Sequence, residues 1–156
     1  MIPEKGTKAP AFSLQDQEEK VRKLTDYKGG WLLLYFYPRD NTSGCTIEAC
    51  NFEKVLPDLN TLDVQVVGVS TDTVVSHQKF VTKYNLTFPL LADTEKEMVQ
   101  QYGVWKEKKM MGKKYFGIVR TSFLINPDGV IEKVYKNVKA KVHVDEVLRD
   151  LKELQA

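Results

Sequence analysis

Along the 156 residues the apolar positions change their period several times, and each change marks an element. Trp31-Leu32-Leu33-Leu34-Tyr35-Phe36-Tyr37 contains no charged residue, the pattern of a central strand covered on both faces, and Pro38 ends it. Val64 to Ser70 (VQVVGVS) reads as a second buried strand. Between the two, after a polar loop from Arg39 to Gly44, Phe52, Val55, Leu56 and Leu59 recur at helical spacing. They predict a helix that Pro57 should kink or shorten. Thr71-Asp72-Thr73 supplies caps for a helix to about Tyr84. Phe88 to Ala92 predicts a short strand, and a helix from about Glu95 to Tyr102 stops at Gly103. Val104 to Gly117 reads as a basic, flexible stretch. Val119 to Ile125, the turn Asn126-Pro127-Asp128-Gly129 and Val130 to Tyr135 predict a hairpin. A last amphipathic helix runs from about Val144 to Leu154. Near the start, Phe12 to Leu14 and Val21 to Leu24 form a small N-terminal hairpin before the break at Asp26 to Gly30.

The strand, helix, strand crossover from residue 31 to 70 implies a parallel pair, and the late hairpin adds antiparallel strands. The expected class is α/β, with a central mixed β-sheet flanked by helices and an N-terminal β-hairpin. A thioredoxin-like fold combines one such crossover with a closing hairpin. A flavodoxin-like sheet is the alternative, but it would want five parallel strands and no hairpin. With no repeat, linker or low-complexity segment, residues 1–156 are expected to form one domain.

Composition narrows the partners. Hydrophobic residues make up 42% and charged residues 28%, enough for a core and against intrinsic disorder. Lys and Arg number 23 against 21 acids, for a net charge of +2, which gives no argument for nucleic acid or a membrane surface. The longest apolar run, Trp31 to Tyr37, falls far short of the roughly 20 residues that span a bilayer. The opening MIPEKGTKAPAF has no apolar signal region, so a cytoplasmic location is expected. Two cysteines, Cys45 and Cys50, and two separated histidines, His77 and His143, exclude a disulfide-stapled scaffold and argue against a four-ligand zinc site.

Cys45 has two readings. As a buried helix cysteine it would act as a small hydrophobe. Its position favours a second reading: it follows Thr42-Ser43-Gly44 and opens the helix that leaves the carboxyl end of a central strand, where α/β sheets place reactive groups. A thiol in the first helical turn faces unpaired backbone N–H groups and the positive end of the dipole, and both favour thiolate. At about 100° per residue, Ala49, Phe52, Leu56 and Leu59 lie within about 40° of Cys45, so the thiol starts the inward face. Cys50 lies about 140° away, with Lys54 and Pro57 nearer the outer face. It is either an edge thiol or half of a redox pair. The C-x4-C spacing is not the C-x-x-C of a disulfide exchanger.

The segment Tyr35-Phe36-Tyr37-Pro38-Arg39-Asp40-Asn41-Thr42-Ser43-Gly44-Cys45-Thr46-Ile47-Glu48-Ala49-Cys50 resembles the active-site segment of the peroxiredoxins and fits their P-x-x-x-T-x-x-C signature through Pro38, Thr42 and Cys45. The second cysteine at plus five is similar to the bacterioferritin-comigratory, or Q-type, branch. The likeness extends over nearly the whole chain, through Gly6 to Phe12, Tyr102-Gly103-Val104-Trp105 and Gly117 to Ile125. Ser43 departs from it, since that branch usually carries proline before the glycine. The resemblance implies that Cys45 is the peroxidatic cysteine and Cys50 the resolving cysteine of an intramolecular disulfide. It also implies that the Thr42 hydroxyl orients thiolate and peroxide, that Pro38 shields the site from water, and that Arg120 is the active-site arginine. The implied activity is reduction of hydrogen peroxide and organic hydroperoxides, in antioxidant defence and redox homeostasis. Thioredoxin is the implied electron donor, no metal, haem or flavin is needed, and the chain is expected to be a monomer. Displacement at oxygen develops negative charge on the leaving oxygen, which a fixed guanidinium, a hydroxyl and helix-start N–H groups stabilise.

Arg120 also reads as a strand-edge surface charge, although strand alternation places it on one side with Ser122 and Leu124. Glu48, one turn after Cys45, either hydrogen-bonds Arg120 or is a solvated helix carboxylate, and it stands outside the expected catalytic set. His77 and His143 read as surface helix residues, and the lysines at 106, 108, 109, 113 and 114 as a solvated basic loop. Two other functions compete: a disulfide exchanger, against which the missing C-x-x-C speaks, and a redox sensor whose Cys45–Cys50 bond regulates a partner. A flavodoxin-like binding module would need a phosphate-cradling loop, and Thr42 to Thr46 lacks the glycines and lysine for one.

Overall fold

The computed structural model describes residues 2–155. The chain runs β1 (Ser13–Gln15), β2 (Val21–Lys23), a 3-10 turn at Leu24–Tyr27, β3 (Trp31–Phe36), α1 (Ser43–Thr61), β4 (Val64–Ser70), α2 (Val74–Tyr84) and β5 (Leu90–Ala92). It continues through α3 (Glu97–Gln101), β6 (Trp105–Met110), β7 (Lys113–Ile118), β8 (Thr121–Ile125), β9 (Ile131–Lys136) and α4 (His143–Leu154). The central sheet has the order β5-β4-β3-β8-β9. β3 pairs parallel with β4 and antiparallel with β8, so the sheet is mixed, as the crossover and late hairpin require. β1–β2 and β6–β7 are separate two-stranded ribbons.

The continuous apolar run in β3 is explained by burial on both faces. Leu33 and Tyr35 point into a core built with Phe52 and Leu59 of α1, Phe80 of α2 and Val147 and Leu151 of α4. Leu32, Leu34 and Phe36 point into a second core with Met98, Tyr102 and Phe123. A thioredoxin-like α/β arrangement results, and the flavodoxin-like alternative fails on the two antiparallel strands β8 and β9.

Two expectations are corrected. Pro57 neither ends nor shortens α1, which runs for 19 residues with Pro57 inside it. The ring removes one N–H on an exposed side, while Phe52 and Leu59, buried on either side of it, hold the helix to the sheet. The stretch from Val104 to Gly117 is not a loose loop: it forms β6 and β7. Met111 (φ 52°) and Gly112 (φ 80°) make the two-residue corner, both in the left-handed region that a twisted hairpin favours. No Asn-Gly or Asp-Gly pair advertises this turn, and most of both faces is wet, so no apolar alternation reveals the strands. The other element boundaries differ from the expected ones by a few residues, with β5 starting at Leu90 and α3 spanning Glu97–Gln101.

Candidate active site

Where β3 ends, Tyr37 is still buried and Pro38 is half-buried. The chain reverses through Asn41 (φ 61°) and enters α1 at Ser43, with Thr42 as the N-cap. The helix thus starts two residues earlier than the sequence suggests, and Cys45 lies within its first turn. The Thr42 hydroxyl donates to the Arg39 carbonyl at 3.2 Å and caps no first-turn amide. With no acid in that turn either, the positive end of α1 is left uncompensated by its own side chains.

Cys45 is 1% exposed and packs into the core that Tyr35 and Phe52 share. Among the described residues its sulfur has one side-chain polar partner: Nη2 of Arg120 donates to Sγ at 2.9 Å. Nη1 of the same guanidinium donates to Oε1 of Glu48 at 3.2 Å. Arg120 sits between β7 and β8, and pairing of Phe36 with Thr121 places that junction beside the carboxyl end of β3. Arg120 therefore lies against the thiol, and the surface-charge reading falls. Glu48 is buried, not solvated, and burial raises its carboxyl pKa from the ordinary 4.5 to about 7 against the opposing pull of Arg120.

Cys50 has a different environment. It is half-buried, and burial, with the Glu53 carboxylate, pushes its thiol pKa up. One thiol therefore faces a guanidinium and the other an apolar, acidic neighbourhood, an asymmetry suited to a nucleophile and a later partner. Both thiols are free.

Sequence reasoning missed the two histidines. His77 and His143 are both buried, not surface residues. His143 shares the apolar face of α4 with Val147 and Leu151, and Nε2 lies 2.8 Å from the Ser122 hydroxyl. His77 lies 2.7 Å through Nδ1 from Oδ2 of Asp40 and 2.9 Å through Nε2 from the Leu91 carbonyl. Asp40 also accepts from the Tyr37 and Ser76 hydroxyls, and its N–H donates to Asp72. The helical spacing of His77 from Phe80 and of His143 from Val147 was the available signal. The ligand atoms of Asp40, Asp72 and His77 lie within 4.8 Å of one another, but hydrogen bonds inside the group already engage them. The cluster therefore reads as a brace for the loop before Cys45.

A recessed cysteine in the opening turn of a helix, held under an arginine at the end of a thioredoxin-like sheet, is the arrangement of cysteine-based peroxidases. The chain belongs to the AhpC/TSA family, whose model matches residues 5–134. Peroxiredoxin Bcp of Bacillus subtilis is 45% identical over 154 residues, 99% of this chain and 98% of that protein. Peroxiredoxin Bcp of Escherichia coli is 45% identical over 148 residues, 95% of each. Among solved structures, a cysteine-to-serine variant of Xylella fastidiosa PrxQ superposes with a TM-score of 0.95 at 35% identity, covering 100% of this chain and 99% of that one. The bacterioferritin comigratory protein of Xanthomonas campestris, studied for alkyl peroxide reduction, gives 0.88 at 36% identity over 93% and 92%. The protein is a peroxidase of the peroxiredoxin type, on the Bcp and Q-type branch.

Proposed function

We propose that the chain acts as one domain that reduces hydrogen peroxide and organic hydroperoxides, with Cys45 as nucleophile and Cys50 as resolving thiol. The observation that carries this reading is the 2.9 Å contact of Arg120 Nη2 with Cys45 Sγ. The Cys45 thiolate attacks one peroxide oxygen, the O–O bond breaks, and the other oxygen leaves as alcohol or water once protonated. Arg120 and the free first-turn amides stabilise the charge that develops on the oxygens. Pro38 keeps water from the pocket, and Thr42 supplies a hydroxyl at its mouth. The sulfenic acid then condenses with the Cys50 thiol, releasing water and forming the disulfide. Thioredoxin, a dithiol protein, reduces that bond and is itself oxidised. The reading takes the protein to be a cytoplasmic monomer. For the described residues, no helix is long and apolar enough to cross a membrane.

A steady-state assay coupling thioredoxin and its reductase to NADPH oxidation tests the reading. Cys45→Ser is expected to abolish turnover with the fold intact, because serine supplies no thiolate near neutral pH. Cys50→Ser should consume about one equivalent of peroxide and then accumulate sulfenic acid at Cys45. Residual turnover above a few per cent in Cys45→Ser would overturn the assignment. A wild-type protein that stops after one equivalent despite the thioredoxin system would be a sensor.

A further inference from the structure

Among the described residues the hairpin β6–β7 pairs with no other strand, and an isolated two-stranded ribbon is marginal in water. Every residue from 109 to 116 is nevertheless exposed, among them Met110, Tyr115, Phe116 and Met111, the last 97% exposed. The register sorts its side chains into two faces. Trp105, Glu107, Lys109, Lys114 and Phe116 share one, where the two rings stack at 6.4 Å and Lys114 reaches Glu107 at 3.8 Å. Lys106, Lys108, Met110, Lys113 and Tyr115 share the other. The hairpin holds five lysines against a single acid, Glu107, and that acid lies on the first face.

The hairpin also leads directly into the site. β7 ends two residues before Arg120, and the half-buried Lys108 leans over Gly117, its Cδ 3.5 Å from where a Cβ there would stand. Its ammonium senses the pocket: burial and Arg120 lower its pKa, while Cys45 opposes them.

We propose that this basic, apolar face of the hairpin is the docking surface for the protein reductant, a dithiol protein whose reactive cysteine is ringed by apolar residues and acids. The proposal rests on the reading of Cys45 and Cys50 as a disulfide-forming pair. A reductant must bring its own thiolate to that bond, and a partner seated beside Lys108 stands next to the pocket from which oxidation would release Cys45. With a net charge of only +2, the whole molecule exerts little steering, so the local concentration of lysines supplies it. Charge complementarity makes the partner acidic, and the exposed Met110 and Tyr115 give it apolar area to bury. A second copy of the chain is disfavoured, because two such faces would set lysine against lysine. A lipid surface meets the charge and the apolar side chains but brings no thiol.

The test is Lys106→Glu combined with Lys113→Glu, and separately Met110→Ser combined with Tyr115→Ser, assayed with thioredoxin and with dithiothreitol as reductant. The charge reversal is expected to lower kcat/KM for thioredoxin about tenfold or more at low ionic strength, with the deficit shrinking in concentrated salt. The apolar pair should lower it several-fold at any salt. Turnover with dithiothreitol, and the first oxidation by peroxide, should stay within about twofold of wild type. Unchanged thioredoxin kinetics overturn the proposal, as does a matching loss with dithiothreitol, which would place the effect in the pocket. Wild-type turnover with dithiothreitol but none with thioredoxin overturns it too. Reversal-sensitive sedimentation with phosphatidylserine vesicles, with thioredoxin kinetics unchanged, would give the surface to lipid. A wild-type protein that dithiothreitol cannot turn over would sink the reading of Cys45 and Cys50 as a disulfide-forming pair instead.

Discussion

Gly44 and Arg120 are in direct contact: a Cβ at Gly44 would lie 2.8 Å from Nη2, the nitrogen that donates to the Cys45 sulfur. The absence of a side chain at Gly44 is therefore what lets the tip of the guanidinium come up against the helix start and reach the thiol. Gly44→Ala should separate activity from stability. The clashing atom is the far end of a flexible side chain, so the fold can yield by moving Arg120, and alanine is the better helix former. We expect a thermal midpoint unchanged or slightly raised, with peroxide attack slowed about tenfold or more as the arginine leaves the sulfur. Stopped-flow oxidation beside a thermal melt checks both, and a variant of wild-type speed would show that the close approach is dispensable.

Glu48 couples the same arginine to pH. Its folded pKa of about 7 lies above the ordinary 4.5, so between these values the folded protein holds a proton that the unfolded chain has released. Stability from this group is full below the unfolded value and is lost as pH rises through about 7. Glu48→Gln keeps the shape and an acceptor for Nη1 but cannot ionise. Its stability relative to wild type should rise between pH 5 and pH 8, by more than about 1 kcal/mol, since one pKa unit corresponds to about 1.4 kcal/mol. The lost negative charge should also shift alkylation of Cys45 to lower pH. A stability difference that stays constant across this range in urea unfolding would mean that Glu48 is ionised throughout.

Much of this geometry was legible in the chain. The unbroken run in β3, the crossover to β4 and the Asn126 to Gly129 turn each satisfy a local rule, and local rules survive into the fold. The place of Cys45 followed from helix periodicity, and its chemical setting from the motif around it. Arg120 lies 75 positions from Cys45, and only the β3–β8 pairing brings the two together, so spacing alone left its role open. His77 failed for the opposite reason. Polar residues read as surface until their partners are known, and the partners here, Asp40 and Leu91, come from the loop after β3 and from β5. The hairpin β6–β7 was invisible because most of its residues do not face a core, so no apolar period betrays the strands.

The Asp40–His77 pair should be a stability element that also serves the site. A carbonyl oxygen only accepts, so Nε2 carries the hydrogen bound to Leu91, while Nδ1 faces Oδ2 of Asp40. His77→Leu keeps apolar volume but strips a buried carboxylate and a buried carbonyl of a partner. It should cost about 3 kcal/mol of unfolding free energy, whereas Ser76→Ala, removing one of several donors to Asp40, should cost about 1. Because Asp40 stands in the loop that presents Cys45, His77→Leu should also slow oxidation by peroxide. A loss below about 1 kcal/mol, read from urea titrations, would show that the brace carries little weight.

The resolving step demands a change of shape. On a regular helix, residues five apart have Cα atoms roughly 8.7 Å apart. A disulfide needs less than about 7 Å, and the two side chains also diverge by about 140°. Both cysteines lie within the continuous α1, so the bond cannot form without unwinding it. The start of the helix is built to yield. Thr42 offers no side-chain cap, an omission worth about 1 kcal/mol, and Asn41 before it holds a left-handed backbone. Pro57 does not set the far limit, since the helix passes through it. Phe52 does: fully buried, it stacks on Tyr35 at 4.9 Å and meets His143 edge-on at 6.0 Å. Oxidation should therefore unwind the segment from about residue 44 to 51, draw Cys45 away from Arg120 and expose the disulfide to its reductant. Hydrogen exchange should show faster amides across these residues in the oxidised protein and little change in β3 and β4. Phe52→Ala should let the fast exchange spread towards residue 60. Equal protection in both redox states, with the disulfide confirmed by mass, would mean that the bond forms some other way.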